Sequence, residues 1–339
     1  MALDLTVTPD TFRRAAVVGA TAWGATLAVH LARNGTPTVL VARNATEAAT
    51  LQRERMHARR LPGVAFPDTL EVAVGVSGVA SADLVVFAVP SGTLEANART
   101  VAPGIAADAT LLSATKGIEV ETGRRMTEVL AAALPGRTVA AISGPNLSRE
   151  VIAGLPGSTV IASRGGRVEA LRTAFHSTSL RVYTSEDVAG VEFGGALKNV
   201  IAIAAGMVDA LGFGDNAKAA LLTRGLAEMT RLGVAAGADP LTFQGLAGVG
   251  DLVASSYSPL ARNRRLGELV AGGQTLREAL EVLGETAEGV TTVPAALRLA
   301  RTLGVEMPIT EGLQRVLSEG QSPQEAIRVL MGREPRSER

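Results

Sequence analysis

Lysine is rare in this chain, and two of its lysines stand where a proton donor would be useful. Of the 33 basic residues, only Lys116, Lys198 and Lys218 are lysines. Arginine does not release a proton near neutral pH, whereas a lysine with a lowered pKa does. We therefore predict proton transfer or carbonyl polarisation for Lys116 and Lys198. Lys218 begins a helical pattern, and we predict no catalytic role for it.

The surroundings of these two lysines favour a ligand site. Lys116 lies in the segment SATKG, at the end of a predicted strand, and Lys198 lies in GGALKN, within a predicted helix. Helical spacing places Val191, Gly194 and Gly195 on the same face as Lys198. Glycine in a helix costs about 1 kcal/mol relative to alanine, so we expect these glycines to leave space for a ligand. Close helix packing is the alternative.

Two later segments add an acid and a basic cluster. Asp251 stands in the loop-like segment GVGDL, and the segment SPLARNRR follows it. Ser258 suits a helix N-cap and Pro259 a first helical turn. This arrangement places Arg262 and Asn263 near a helix N-terminus, which favours anions. A solvated basic helix start is the alternative.

A glycine turn near the start predicts a dinucleotide site. The segment from Gly19 to Gly24 follows the first predicted strand and opens the first helix, as the phosphate-binding turn of dinucleotide folds does. Gly19 suits the tight turn and Gly24 the close packing of helix on strand. Thr21 occupies the middle position, where glycine is usual and a side chain can crowd the phosphates. A merely structural turn is the alternative.

The end of the second predicted strand bears on the choice between NAD and NADP. NAD sites commonly carry an acid there, which holds the ribose hydroxyls. This strand ends in the segment VARN, which contains no acid. Arg43 suits a 2′-phosphate, so the sequence favours NADP over NAD. An ordinary solvated arginine is the alternative.

The elements that position these residues change character part-way along the chain. Short apolar runs predict strands at 14–18, 38–41, 84–89, 111–113, 138–142, 159–162 and 180–183. Helical patterns cover 22–33 and 124–133, and after residue 185 they cover 187–211, 217–236, 275–283, 293–303 and 323–330. We predict an α/β, Rossmann-like doubly wound domain over residues 1–185. An all-helical domain then covers residues 186–339.

Composition excludes several classes of function. The 339 residues have a formal net charge of +0, which argues against nucleic-acid binding through a broad basic surface. Cysteine is absent and the three histidines lack ligand spacing, so we expect no metal site. No apolar run reaches about 18 residues and the N-terminal segment lacks an apolar core. We therefore expect a cytoplasmic protein without membrane insertion. The C-terminal segment GREPRSER is charged, and we expect it to be frayed.

Several motifs together resemble one enzyme family. They are SATKGIE, ISGPN, GVEFGGALKNVIAIAAGMVDALGFGDNAKAAL, TRGLAEM, GLAGVGDLV, ARNRRLGE and GVEMPIT, in this order. With them, residues 13–333 resemble bacterial NAD(P)-dependent glycerol-3-phosphate dehydrogenases. The resemblance implies reversible reduction of dihydroxyacetone phosphate to sn-glycerol 3-phosphate, which feeds glycerophospholipid synthesis. It also implies a homodimer.

The resemblance assigns roles to individual residues. It implies that Lys198 donates the proton, that Lys116 polarises the carbonyl and that Asp251 orients the pair. The substrate contacts it implies are Lys116, Gly144, Asn146, Lys198, Asn199, Asp251, Ser255, Arg262 and Asn263. The cofactor contacts are Gly19, Thr21, Ala22, Trp23, Gly24, Arg43, Lys116, Ser148, Arg262, Thr286 and Glu288. Thr21 departs from the family's middle glycine, and Ala261 stands where a serine often precedes the Arg-Asn pair.

Two other readings remain open from the sequence. Ketopantoate reductases and hydroxyisobutyrate dehydrogenases share the predicted domain order, but they should not carry SATKG, TRGLAEM and ARNRR together. A nucleotide-binding redox sensor without catalysis would account for the altered glycine turn. The presence of both lysines, Asp251 and Arg262 weighs against the sensor, because a sensor needs no proton donor.

Overall fold

The computed structural model describes residues 11–165, 167–284, 286–332 and 334. The expectations for the N-terminal segment and the charged tail fall largely outside these residues. The chain forms two compact units. The first comprises the described residues up to Lys116 together with Met126–Val191, and the second comprises Gly117–Arg125 together with those from Glu192 onward. The sequence pattern instead suggested one division, after residue 185.

The first unit contains one sheet of eight strands. They are β1 (Ala15–Val18), β2 (Thr38–Ala42), β3 (Leu70–Val74), β4 (Leu84–Phe87), β5 (Thr110–Ser113), β6 (Val139–Ser143), β7 (Gly157–Ala162) and β8 (Leu180–Ser185). Their order is β3-β2-β1-β4-β5-β6-β7-β8, and only the β6–β7 pair is antiparallel. The first six strands thus follow the doubly wound order of dinucleotide-binding folds. The predicted Rossmann-like fold is confirmed.

Six helices accompany this sheet. They are α1 (Ala22–Arg33), α2 (Ala45–Glu54), α3 (Leu94–Val101), α4 (Met126–Ala133), α5 (Ser148–Ile152) and α6 (Val168–Phe175). Alternate residues of β1 enter different apolar clusters: Ala15 and Val17 join one, Ala16 and Val18 the other. Successive strand side chains point to opposite faces. The sheet therefore has a buried core on each side, which explains why its central strands are continuous apolar runs.

The second unit is built from helices, and the first of them begins at Val188, at the end of the first unit. They are α7 (Val188–Ala210), α8 (Gly214–Ala235), α9 (Asp251–Tyr257), α10 (Arg262–Ala271), α11 (Leu276–Leu283), α12 (Gly289–Leu303), α13 (Pro308–Ser318) and α14 (Pro323–Met331). A 3₁₀ turn at Pro240–Gln244 and a π-helical turn at Leu246–Gly250 connect α8 to α9. The helical character predicted for this half of the chain is confirmed.

By length and composition, helix α7 is long and apolar enough to cross a membrane, although no unbroken apolar run in the sequence reaches the length of a span. However, 94% of its 18-residue apolar window is buried within the protein. Burial of this extent is typical of a core helix.

Glycines allow the backbones of α7 and α10 to touch. A Cβ on Gly206 would lie 1.9 Å from the carbonyl oxygen of Arg264, and one on Gly267 would lie 1.9 Å from that of Ile203. Neither position accepts a side chain without moving a helix. The pair fixes α10, which begins with Arg262, against α7, which carries Lys198.

Candidate active site

The glycine turn after β1 has the geometry of a phosphate cradle. Gly19 has φ +112°, and a Cβ there would lie 2.8 Å from the carbonyl oxygen of Ala88. A Cβ on Gly24 would lie 2.0 Å from the carbonyl oxygen of Gly19. Both glycines are therefore required, and the turn leads directly into the N-terminus of α1, where Ala22 and Trp23 form the first turn. Such a cradle fits a dinucleotide pyrophosphate.

Thr21 is the N-cap of α1, and its hydroxyl caps the helix rather than obstructing the turn. Its backbone (φ −71°, ψ 169°) is extended and open to any residue, so the fold does not require glycine here. Its Oγ1 accepts a hydrogen bond from the Gly24 N–H at 2.9 Å and donates one to the Ala88 carbonyl at 2.7 Å. The hydroxyl is thus committed to the protein and links the turn to the end of β4.

His57 supports the same turn, and the sequence analysis missed it. Its Nε2 lies 3.0 Å from the carbonyl oxygen of Ala20, and its side chain is buried. Burial is the largest effect on the His57 pKa and lowers it; the nearby arginines Arg60 and Arg59 lower it further. A neutral imidazole that donates from Nε2 satisfies this contact. No motif signals this role, because the partner is a backbone carbonyl.

Glu47 is a second residue that was not predicted from the sequence, and its carboxylate lies at the end of β2. Arg43 directly follows the strand and is exposed. Asn44 caps α2 by accepting from the Glu47 N–H at 2.9 Å. In return, Oε2 of Glu47 accepts from the Arg43 N–H at 2.8 Å. A carboxylate therefore lies at the end of β2, although no acid stands there in the sequence.

Three predicted residues meet at the carboxyl ends of β5 and β6. Nζ of Lys116 donates to the carbonyl oxygen of Gly144 at 3.2 Å. Asn146 donates from Nδ2 to the Ser158 carbonyl at 3.0 Å, and its Oδ1 accepts from the Thr159 hydroxyl at 2.8 Å. Lys116, Gly144 and Asn146 thus lie at the carboxyl ends of these strands, where ligands of doubly wound folds bind. Ser148, another predicted contact, begins α5 two residues later.

In the second unit, Lys198 forms a buried cluster with two residues of α9. Its Nζ donates to Oδ1 of Asp251 at 2.9 Å and also to the Ser255 hydroxyl. Ser255 in turn donates to the same Asp251 oxygen at 3.2 Å. The side chains of Lys198 and Asp251 are only 10% and 3% exposed. A buried ion pair needs such additional hydrogen bonds to offset its desolvation.

Glycine explains how this cluster forms. A Cβ on Gly194, one turn before Lys198, would lie 2.5 Å from the carbonyl oxygen of Ala247. The expectation that Gly194 leaves space for a ligand is wrong, since the π-helical turn fills that space. Packing is the alternative that holds for this glycine. The close approach brings the start of α9, and with it Asp251, to the helix that carries Lys198.

Two asparagines form a chain of amide contacts beside the cluster. Asn263 donates from Nδ2 to Oδ1 of Asn199 at 2.8 Å, and its Oδ1 accepts from the Gly289 N–H at 3.1 Å. Asn199 reaches the Gly195 carbonyl only at 3.5 Å.

Arg262 donates to the carbonyl oxygen of Thr286 at 3.1 Å, and Glu288 directly precedes α12.

One local prediction in this region is wrong. Helix α10 begins at Arg262 after Ala261, so Ser258 is not its N-cap and Pro259 is not in its first turn. Residues 258–261 form a turn instead, because the Ala261 N–H donates to the Ser258 carbonyl at 3.1 Å. Arg262 and Asn263 are still the first residues of the helix.

Lys218 lies outside these groups. Its Nζ donates to Oδ2 of Asp209 at 2.8 Å and lies 4.0 Å from the ring centroid of Tyr257. Arg264 shares the same carboxylate oxygen. This is a packing and ion-pair role, as the sequence analysis expected. Among the described residues, no group of three His, Cys, Asp or Glu side chains is arranged to hold a metal ion.

Comparison with known families covers both units. The model of the NAD-dependent glycerol-3-phosphate dehydrogenase N-terminus matches residues 14–168, and the model of the C-terminus matches residues 187–328. The chain belongs to the NAD-dependent glycerol-3-phosphate dehydrogenase family. This membership sets aside the ketopantoate reductase and hydroxyisobutyrate dehydrogenase alternatives.

Individual members of the glycerol-3-phosphate dehydrogenase family match along nearly their whole length. A glycerol-3-phosphate dehydrogenase [NAD(P)+] of Chlorobium limicola is 47% identical over 328 residues, which cover 95% of this chain and 98% of the relative. One of Streptomyces griseus subsp. griseus is 44% identical over 330 residues, 96% and 98% of the two chains. The crystal structure of the Coxiella burnetii glycerol-3-phosphate dehydrogenase matches with a TM-score of 0.90 at 36% identity, over 95% of this chain and 99% of that one.

Proposed function

We propose that the protein reduces dihydroxyacetone phosphate to sn-glycerol 3-phosphate with NADPH or NADH, and catalyses the reverse oxidation. The observation that carries this proposal is the buried cluster of Lys198, Asp251 and Ser255, in a chain that belongs to this dehydrogenase family. A buried amine held by one carboxylate and one hydroxyl suits a proton donor to a developing alkoxide.

Lys198 performs the acid–base step in this proposal. When bound, the nicotinamide cofactor supplies a hydride to the ketone carbon. The carbonyl π bond then breaks, its electron pair moves to oxygen, and Lys198 gives that oxygen a proton. Asp251 and Ser255 hold the amine in place throughout. In the oxidation, the neutral amine removes the hydroxyl proton.

Other residues bind and orient the substrate. Lys116 supplies a second positive charge that favours the carbonyl oxygen as it becomes negative. Gly144 and Asn146 contact the substrate from the same strand ends as Lys116. Asn199 donates to a substrate oxygen, since its own carbonyl oxygen is engaged by Asn263.

The substrate phosphate is assigned to the start of α10. Arg262 and Asn263 occupy the first turn of this ten-residue helix, where the N-terminal backbone dipoles favour an anion. Arg262 is exposed and Thr286 holds it through a carbonyl contact. Its guanidinium is planar and carries several N–H donors, a geometry that suits phosphate.

The phosphate-binding turn and the adenosine end of the cofactor are assigned to the first domain, and the substrate phosphate, the proton donor and the remaining cofactor contacts to the second, with domain ranges 1–185 and 186–339. The residues proposed to contact the cofactor are Gly19, Thr21, Ala22, Trp23, Gly24, Arg43, Lys116, Ser148, Arg262, Thr286 and Glu288. Arg43 supports NADP as the preferred cofactor, because a guanidinium pairs well with a 2′-phosphate. NAD remains the second cofactor.

The same proposal places the protein in the cytoplasm as a homodimer, without membrane insertion or nucleic-acid binding. Its product would enter glycerophospholipid synthesis. Family membership and the burial of α7 support this placement. Sedimentation of the purified chain tests the dimer directly.

Oxidation of NADPH and NADH with dihydroxyacetone phosphate tests the reaction, with Lys198→Arg as the decisive variant. Arginine keeps the charge but donates no proton, so we expect this variant to bind NADPH and to lose nearly all turnover. Lys218→Arg is the matched control, since Lys218 is also buried and paired with an aspartate. We expect it to stay active. An active Lys198→Arg enzyme would contradict the proton-donor role.

The remaining alternative is a nucleotide-binding sensor without catalysis. It predicts that the wild-type protein binds NADPH but never oxidises it in the presence of dihydroxyacetone phosphate. NADPH fluorescence reports binding, and absorbance at the nicotinamide band reports oxidation. The two proposals therefore differ in the second readout only.

A further inference from the structure

The position that commonly decides between NAD and NADP is occupied here by two opposite charges. In doubly wound folds, the residue at the end of the second strand reaches the 2′-position of the adenosine ribose; an acid there accepts from the hydroxyl, and a base pairs with a 2′-phosphate. Arg43 occupies this position in the chain. The structure brings the Glu47 carboxylate to the same position, 2.8 Å from the Arg43 N–H.

A second observation relates Glu47 to the glycine turn. The negative charge of Glu47 acts on His57, raising a pKa that burial, the larger effect, lowers. His57 contacts the Ala20 carbonyl within the glycine turn. Glu47 therefore lies near both the end of β2 and the residue that supports the phosphate cradle. The adenosine half of a dinucleotide spans these two features.

Glu47 is held in place by its own helix. Asn44 caps α2 by accepting from the Glu47 N–H at 2.9 Å, and the Glu47 carboxylate accepts from the Arg43 N–H at 2.8 Å. This fixes one carboxylate oxygen on the backbone at the strand end. A carboxylate has two oxygens and accepts several hydrogen bonds, so the same group is suited to accept from a ribose hydroxyl.

We propose that Glu47 is a specificity-determining residue for the cofactor: its carboxylate accepts from the 2′-hydroxyl of NADH and repels the 2′-phosphate of NADPH, in opposition to Arg43. This rests on the proposed function, because it presumes a dinucleotide in the first unit. The preference for NADPH that Arg43 alone implies is thereby reduced. An enzyme with both groups is expected to accept both cofactors.

Binding of two fragments without nicotinamide tests the proposal independently of catalysis. Adenosine 2′,5′-bisphosphate carries the 2′-phosphate and 5′-AMP carries the 2′-hydroxyl, and calorimetry gives the Kd of each. In Glu47→Gln, the amide oxygen still accepts from the Arg43 N–H, so the cap remains while the charge is lost. We expect the preference for the bisphosphate over 5′-AMP to rise about three- to tenfold, as removal of one nearby like charge implies.

Glu54→Gln is the matched control. Glu54 lies on the same helix, seven residues further along, or about 10 Å at the α-helical rise. It loses the same charge, and we expect the ratio of the two Kd values to stay within twofold of wild type. Arg43→Ala should shift the ratio in the opposite direction from Glu47→Gln.

The outcomes separate the two proposals. An unchanged ratio in Glu47→Gln, in a protein whose wild type turns over dihydroxyacetone phosphate, overturns the role of Glu47 and leaves the proposed function intact. A shifted ratio in a protein without turnover supports Glu47 and contradicts the proposed function. A wild type that binds neither fragment and does not turn over dihydroxyacetone phosphate overturns both.

Discussion

The Nδ2 atom of Asn263 lies 2.8 Å from Oδ1 of Asn199, and the orientation of both amides follows from this contact. Oδ1 of Asn263 accepts from the Gly289 backbone N–H, so its Nδ2 must face Asn199. Asn199 then uses its oxygen for Asn263 and offers N–H groups elsewhere. A backbone N–H of α12 thereby determines that Asn199 acts as a hydrogen-bond donor.

Asn263→Asp should reverse this arrangement. The carboxylate still accepts from Gly289 but no longer donates, so the Asn199 amide must turn its N–H groups toward it. We expect the KM for dihydroxyacetone phosphate to rise at least about tenfold, since a donor to the substrate is replaced by an acceptor. The Kd for NADPH should not change. Steady-state kinetics and NADPH fluorescence check the two quantities.

Asn97→Asp provides the control for this change. Asn97 is half-buried on α3 and donates to the carbonyl oxygen of Thr93, the N-cap of the same helix. Wild-type kinetics are expected for this variant. If Asn263→Asp also shows a wild-type KM, the amide chain does not orient Asn199 for substrate.

Glu228→Ala should destabilise the protein. The buried carboxylate of Glu228 accepts from the backbone N–H groups of Ile309 and Thr310, each at 2.9 Å, and from the Thr310 hydroxyl at 2.6 Å. It thus connects the TRGLAEM segment to the start of α13. Loss of these acceptors leaves buried donors unsatisfied, at about 3 kcal/mol. A midpoint of thermal unfolding about 6–12 °C below wild type is expected.

The pH dependence of the same site has a definite sign. Burial raises the pKa of Glu228, and the hydrogen bonds from Thr310 and Ile309 only partly offset it. The folded state therefore holds this proton more tightly than the unfolded state, so its contribution to stability falls as pH rises from about 4.3 through the folded-state pKa. Glu228→Gln cannot titrate. Its unfolding free energy should rise relative to wild type across that window, and a constant difference would contradict the shift.

Gly206→Ala should be far more harmful than a comparable helix substitution elsewhere. Its Cβ would lie 1.9 Å from the Arg264 carbonyl oxygen, so α7 and α10 must separate. Gly312 in α13 is the control, because its Cβ would meet Leu330 at an ordinary 3.8 Å. Gly312→Ala should stabilise by about 1 kcal/mol through helix propensity. Thermal unfolding of both variants gives the comparison, and equal midpoints would argue against the close helix contact.

His57 should support cofactor binding through the glycine turn. His57→Leu removes the donor to the Ala20 carbonyl, and we expect the Kd for NADPH to rise about tenfold while kcat at saturating cofactor changes less than threefold. Glutamine places an N–H at a similar reach, so His57→Gln should recover much of the affinity. A leucine variant with the wild-type Kd would leave His57 a purely structural residue.

The sequence predicts some elements closely and misses others. Helix α1 is predicted to the residue at both ends, and seven of the eight strands to within two residues at either end. Strand β3 is missed; it lies at one edge of the sheet and is partly buried. Helix α2 is missed because only Ala48 and Leu51 on it are buried, so its apolar period is weak.

In the candidate site, the predicted residues are those that the sequence itself marks. Lys198 is predicted because lysine is rare in this chain, and Asp251 because of its segment GVGDL; the structure places the two in contact. Glu47 and His57 act on the backbone groups of Arg43 and Ala20. No residue type at the partner position marks such a contact, since every residue but proline carries the same donor and acceptor. Their placement required the fold.

The engagement of all three lysines has a practical consequence for handling the protein. Lys116 contacts Gly144, Lys198 pairs with Asp251, and Lys218 pairs with Asp209. Reagents that acylate surface amines, such as those used to attach dyes, polymers or solid supports, therefore find no freely solvated lysine side chain. Lys116, the most accessible of the three, is also the one proposed to meet the substrate. Coupling through carboxyl groups or an introduced cysteine should preserve activity, whereas acylation of Lys116 should abolish it.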